Sequence, residues 1–189
     1  MHSITAKIIL WLIKKECISF EEYPLYQYAI KSLFLTAFPI ILSIIAGIFI
    51  SDISSAIILI IPYSILRKFT GGYHAKHLNI CLILSSIMIL IANIISNISY
   101  NIMHNILLYV SCIMIWLYSP IESFQRLIDE YEINLFKRCI RIFCISFLFI
   151  YHLLLLFNQT HSAVCFSIGI DLTFILMIPC IFPCHKHKH

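Results

Sequence analysis

A histidine and a cysteine stand seven residues apart in the segment Arg67-Lys-Phe-Thr-Gly-Gly-Tyr-His-Ala-Lys-His-Leu-Asn-Ile-Cys81, just after a glycine pair. A thiol activated by an imidazole can attack a carbonyl and hold the acyl group as a thioester. Seven residues is two helical turns, so His74 and Cys81 would share a helix face yet lie about 10 Å apart along its axis. If the two act together, the chain must bend between them, with His74 folding back from Gly71-Gly72. His77 is the rival base, four residues before Cys81 and within side-chain reach on a helix. The residues alone leave this choice open, with helical geometry favouring His77. At the start of a helix, Cys81 would also feel the positive end of the dipole, which favours the thiolate.

Each feature also has a plainer reading. Adjacent glycines permit positive φ and close backbone approach, and Gly71-Gly72 on their own are a tight turn. Arg67 and Lys68 at a helix end can set topology as well as bind an acidic group. Asn79 is the nearest polar residue for a third catalytic role.

The elements that must position this segment are apolar. Of 189 residues 61% are hydrophobic and 12% charged, with a mean hydropathy of +0.95, too few charges to cover a water-soluble fold of this size. The fold class is therefore all-α, a polytopic membrane bundle of about six segments. They run Ser32–Ile50, Ser55–Leu66, Leu78–Ile98, Ile102–Tyr118, Cys139–Phe157 and Ser162–Phe182. The second is short enough to be re-entrant, which allows four spans plus two re-entrant segments. With the N-terminus in the cytoplasm, all thirteen Lys and Arg residues fall on the cytoplasmic side of six spans. Both termini and the segment 68–77 are then cytoplasmic, at the cell membrane.

Residues 1–31 differ in kind. Ile4, Ile8, Trp11 and Leu12 share a helix face flanked by Lys7, Lys14 and Lys15, and Tyr23, Tyr26 and Tyr28, just before the first span, are expected as an interfacial aromatic belt. This predicts an interfacial amphipathic helix, an anchor or a docking surface for an amphipathic segment. One membrane domain (1–189) is expected, with a bundle over 32–182 and a tail over 183–189. No charged and apolar leader with a cleavage site is read at Met1–Lys7.

The eight cysteines lie largely in apolar runs, where a thiol behaves as a small hydrophobe, and no disulfide framework is expected. Asp171, an intramembrane carboxylate in the sixth span, is a functional candidate by default, and its plainer reading is hydration in the outer third of the span near Ser167 and Gly169. The tail Cys184-His-Lys-His-Lys-His189 is poor ligand geometry, because gathering its histidines also gathers ammonium groups. Metal and cofactor are both expected to be none.

The pattern R-K-F-T-G-G-Y-H-A-x6-C resembles the signature of the accessory gene regulator B (AgrB) family, membrane cysteine endopeptidases that mature quorum-sensing peptides. Arg67, Gly72, His74 and Cys81 fall in register, and Tyr118-Ser-Pro-Ile-Glu122 is similar to the family's Tyr-Ala-Pro-Val/Ile-acidic segment. The likeness covers most of the chain. It departs after Glu122, where members commonly carry Lys-Pro-Ile or Lys-Pro-Leu and this chain has Gln125-Arg-Leu-Ile128.

The resemblance implies His74 rather than His77 as the base and Cys81 as the nucleophile. It implies an AgrD-type propeptide as substrate, with an amphipathic leader, a signal core containing Cys or Ser, and an acidic tail. Cleavage at the end of the core, then attack by the core's own side chain, would give a thiolactone or lactone. Gly71 and Gly72 are candidate oxyanion donors, and Arg67 and Lys68 candidate partners of the acidic tail. The lipid bilayer and a second copy of the chain are the other expected partners, and no nucleic acid is expected. The competing class is a peptide exporter or membrane scaffold without catalysis, in which His74 and Cys81 would be dispensable.

Overall fold

The computed structural model describes residues 2–15, 18–50, 52–71, 78–97, 100–121 and 130–181. The described residues are helical: α1 His2–Lys14, α2 Tyr23–Phe49, α3 Ile53–Thr70, α4 Leu78–Ile95, α5 Ile102–Tyr118, α6 Glu130–Leu156, α7 Thr160–Ile175 and the short α8 Ile178–Ile181. The chain divides into two compact units, Met1–Ile41 and Leu42–His189.

In the first unit, a 3₁₀ turn over Phe20–Glu22 precedes α2, opened by Ser19. The Glu22 carboxylate accepts both the Ser19 N–H (2.9 Å) and its hydroxyl (3.2 Å), so an otherwise orphaned amide is satisfied. Along α1, Thr5 and Ile9 are buried while Ile8, Leu10 and Trp11 are exposed. The exposed apolar ridge thus includes two residues of the expected face, Ile8 and Trp11. α2 starts at Tyr23, so the tyrosines expected as a belt ahead of the first span belong to its helix.

The second unit is a helical bundle centred on α7. Ala163 to Thr173 are buried without interruption, which is how a helix apolar on all sides behaves. Around it α3, α5 and α6 supply Leu66, Leu108, Ile115, Ile140, Phe147 and Tyr151, packed against Phe166, Ile170 and Met177. The opposite face of α6 is bare: Ile142, Ile145, Phe149, Leu153 and Leu156 are exposed at near-helical spacing. Water would penalise such a stripe; lipid does not. α3, Tyr131–Leu156 of α6 and Thr160–Ile181 are each long and apolar enough to cross a bilayer, and shorter apolar helices cover Ala37–Phe49, Ile83–Ile95 and Ile102–Tyr118. The fold is an all-α helical membrane protein.

The second of the expected spans needs correction. α3 does not close at Leu66. It runs 18 residues to Thr70, about 27 Å at 1.5 Å per residue. Arg67 and Lys68 sit in its last turn, where cations complement the helix dipole. α2 and α3 meet close to the turn that joins them. A Cβ on Gly47 would lie 2.5 Å from Ala56 Cβ, and the Ser43 hydroxyl donates to the Ala56 carbonyl. Asn93 Nδ2 on α4 donates to Ser43 Oγ (3.3 Å) and to Ile89 O (2.9 Å).

Candidate functional site

The segment that carries the sequence motif begins at the end of α3. Phe69 is braced against α6, edge-on to Phe136 at 5.7 Å and tilted against Phe143 at 5.3 Å. Lys68 Nζ lies 5.8 Å from the Phe69 ring centroid. Thr70 is fully buried. The helix then stops at Gly71, with φ 70° and ψ −142°, a backbone region open essentially to glycine.

Gly71 has a second reason to lack a side chain. It pairs with Ile121 as an isolated parallel β-bridge, and a Cβ would meet the Ile121 carbonyl oxygen at 2.5 Å. The Ile121 N–H donates to Thr70 O at 2.9 Å. The Gly71 carbonyl accepts from Arg67 Nη1 at 2.6 Å and from the Thr70 hydroxyl at 3.3 Å. Two stretches fifty residues apart, Arg67–Gly71 and Tyr118–Ile121, are therefore joined backbone to backbone.

Residues 119–121 are themselves anchored. The Ser119–Pro120 bond is cis. Ser119 is 4% exposed, and its hydroxyl donates at 3.7 Å to the sulfur of Met177, just beyond the end of α7. On the neighbouring turn of α5 the Arg141 guanidinium lies over the Trp116 ring at 5.5 Å.

Cys81 is the fourth residue of α4 as described, Leu78–Ile95. Gly72, His74 and His77 lie outside the described residues, as do Glu122, Gln125–Ile128 and the tail from Cys184. Of the expected site, the structure brings together Arg67 and Gly71 and adds Thr70, Ser119 and Ile121.

Asp171 is a correction. In place of the hydrated position read near Ser167, it is 3% exposed in the last two turns of α7. Ser111 Oγ on α5 donates to its Oδ1 at 2.6 Å, while Oδ2 has no partner among the described residues. Ser167 offers it nothing, because that hydroxyl donates back to Val164 O at 2.9 Å. α5 and α6 are joined by further polar pairs. The Tyr151 hydroxyl bonds Asn105 Oδ1, and the Tyr109 hydroxyl lies 2.8 Å from His152 Nε2.

A second thiol–imidazole pair, not picked out in the sequence, sits at the start of α7. His161 Nε2 is 2.8 Å from Ser55 Oγ and 3.9 Å from Cys165 Sγ. The i,i+4 spacing of His161 and Cys165 was the available signal. The N-cap of α3 adjoins it: Asp52 accepts the Ser55 N–H at 2.7 Å and the Ser54 hydroxyl at 2.8 Å. The hydroxyl of Ser55, then those of Ser54 and the Ser55 amide, hold the Asp52 carboxyl below its ordinary range. The length of α3 separates this cluster from Gly71, so the two do not form one site.

Comparison with known proteins agrees with the motif. No curated protein and no solved structure matches the chain. The family model described as accessory gene regulator B matches residues 5–178, nearly the whole sequence. With a helical membrane fold and a match of that extent, the chain belongs to the AgrB family, whose members act in the maturation of autoinducing peptides.

Proposed function

We propose that the protein is a membrane-embedded cysteine endopeptidase that removes the C-terminal tail of an AgrD-type propeptide and promotes its cyclisation. The observation that carries this reading is the placement of Cys81 in the first turn of α4. A short connection joins it to the Gly71 end of α3, in a chain matched by the AgrB family over residues 5–178. A helix N-terminus favours thiolate over thiol, so Cys81 is suited to be the nucleophile.

The sulfur of Cys81 attacks the carbonyl that ends the signal core, forming a C–S bond. His74 takes the thiol proton and delivers it to the departing amine as the C–N bond breaks. The core, with the leader still attached, is left as a thioester on Cys81 and the acidic tail departs. A Cys or Ser side chain within the core then attacks that thioester, loses its proton to His74, and closes a thiolactone or lactone as the Cys81 thiolate leaves. A thioester retains much of the free energy of the cleaved bond, so no nucleotide is consumed. A site at the membrane edge limits hydrolysis of the intermediate. The active site faces the cytoplasm, where the basic residues gather under the positive-inside rule.

The test is to trap the intermediate. Wild type incubated with precursor lacking the cyclising side chain should gain the mass of the leader–core acyl group on the peptide containing Cys81. His74→Ala should abolish the adduct, and His77→Ala should leave it. An adduct lost only in His77→Ala would move the base to His77. A precursor cut without any adduct on Cys81 would overturn the covalent mechanism.

A further inference from the structure

We infer that Arg67 is a positioning residue of the cleavage reaction, acting through the Gly71 carbonyl and not by binding the acidic tail of the substrate. The inference rests on the reading of Cys81 and His74 as the reacting pair.

Every residue from Phe69 to Gly71 is held on more than one side. Phe69 is wedged between Phe136 and Phe143. Thr70 is buried, donates its hydroxyl to Gly71 O and accepts the Ile121 N–H. Gly71 lies so close to the Ile121 carbonyl that no Cβ fits. Ile121 follows Ser119, which is tied to Met177. The frame is α3, α6, α7 and the turn after α5, and the chain leaves it at Gly71 on its way to His74.

Arg67 completes this frame. Its guanidinium is half-buried one turn back along α3 and donates to Gly71 O at 2.6 Å. That is the short distance of a charge-assisted bond. A peptide unit is planar, so fixing its carbonyl fixes the direction of the amide on its other side. The unit after Gly71 is the first of the connection that leads to the catalytic histidine. An arginine in this place therefore sets how that connection starts, and its effect belongs in the transition state rather than in ground-state binding.

A guanidinium has five donors, so a carboxylate of the substrate tail is a chemically reasonable rival partner, and kinetics separates the two roles. Loss of a group that binds the tail raises KM and spares kcat. Loss of a positioning group lowers kcat and spares KM.

The experiment uses full-length protein in proteoliposomes and two precursors, one native and one with its tail carboxylates replaced by amides. Arg67→Ala and Arg67→Gln should lower kcat roughly ten- to a hundredfold, the loss expected for a charged hydrogen bond. KM should stay within about twofold, and both precursors should show the same loss. Arg67→Lys, which keeps the charge and loses the fork, should recover kcat only in part, and it serves as the test should Arg67→Ala fail to accumulate. A raised KM in Arg67→Ala that disappears with the neutral tail, or full recovery in Arg67→Lys, would overturn the inference. Cys81→Ala runs in parallel. Cleavage that persists there removes the cysteine-protease reading itself, a result distinct from any of the Arg67 outcomes.

Discussion

Replacing Gly169 by alanine puts a methyl group where α3 already lies. A Cβ at this position would overlap the Leu59 carbonyl oxygen and come within 2.8 Å of Pro62 Cγ and 3.2 Å of the Leu59 carbonyl carbon. None of these atoms is the free end of a flexible side chain, since two are backbone and one is a ring carbon in mid-helix. The helices must part by on the order of an ångström, and α7 is buried on all sides from Ala163 to Thr173. Two effects compete. Alanine improves helix propensity over glycine by about 0.8–1.0 kcal/mol. Overpacking a filled interface costs about 1–3 kcal/mol, more when backbone must yield, and small residues are what permits close approach of membrane helices. Steric cost wins, with a net loss of roughly 1–2 kcal/mol. Unfolding in mixed micelles of increasing SDS fraction, followed by far-UV circular dichroism, should show the midpoint of Gly169→Ala moved to lower SDS. A midpoint moved to higher SDS, as propensity alone would give, would refute the close packing of α7 on α3.

Other expectations follow from the same geometry. Asp52→Ala should destabilise α3 by about 0.5–2 kcal/mol at neutral pH through loss of its N-cap, and Asp52→Asn by much less. Because the folded carboxyl is held below its ordinary value, chiefly by the Ser55 hydroxyl, the advantage of its charge over a neutral acceptor is complete above the unfolded pKa of about 4 and is lost as pH falls through the lower folded value. Stability curves of wild type and Asp52→Asn should therefore converge in acid, and a gap between them unchanged down to about pH 2 would contradict this. Asp171→Asn keeps an acceptor for the Ser111 hydroxyl at a site where Oδ2 has no partner among the described residues. It should stay within about 1 kcal/mol of wild type, with cleavage intact; loss of activity in a folded Asp171→Asn protein would point to a role for the carboxylate in the chemistry. Tyr151→Phe leaves Asn105 Oδ1 without the donor it has in the bundle. It should lower the SDS midpoint by the equivalent of about 1–2 kcal/mol.

The apolar runs were legible because each lipid-crossing helix needs its length of hydrophobic residues, and all six fall on helices, although α2 and α6 extend well ahead of the expected Ser32 and Cys139 and the last run is divided between α7 and α8. The end of α3 was misplaced because charge was read as the edge of the span. A last helical turn tolerates Arg67 and Lys68 well, with the Lys68 ammonium resting near Phe69. Gly71 was legible as a special backbone position, but its partner was not. Ile121 meets it through backbone atoms alone, and such pairing leaves no side-chain pattern to read. The likeness of Tyr118–Glu122 to a family segment marked that stretch without revealing that it abuts the glycine. Asp171 was misjudged because its depth depends on α7 being the central helix, a property of packing. The Ser55–His161 contact joins residues 106 apart for the same reason.

The central claim is that Cys81 cuts the precursor. Co-expression of full-length protein with its candidate precursor, followed by mass spectrometry of the cell extract, tests it most directly. Wild type should yield the released acidic tail and a leader–core peptide lighter by one water than its linear acid, and Cys81→Ala should yield neither while still accumulating in the membrane. A released tail of the same mass from Cys81→Ala would contradict the account and leave a peptide exporter or membrane scaffold as the reading to pursue.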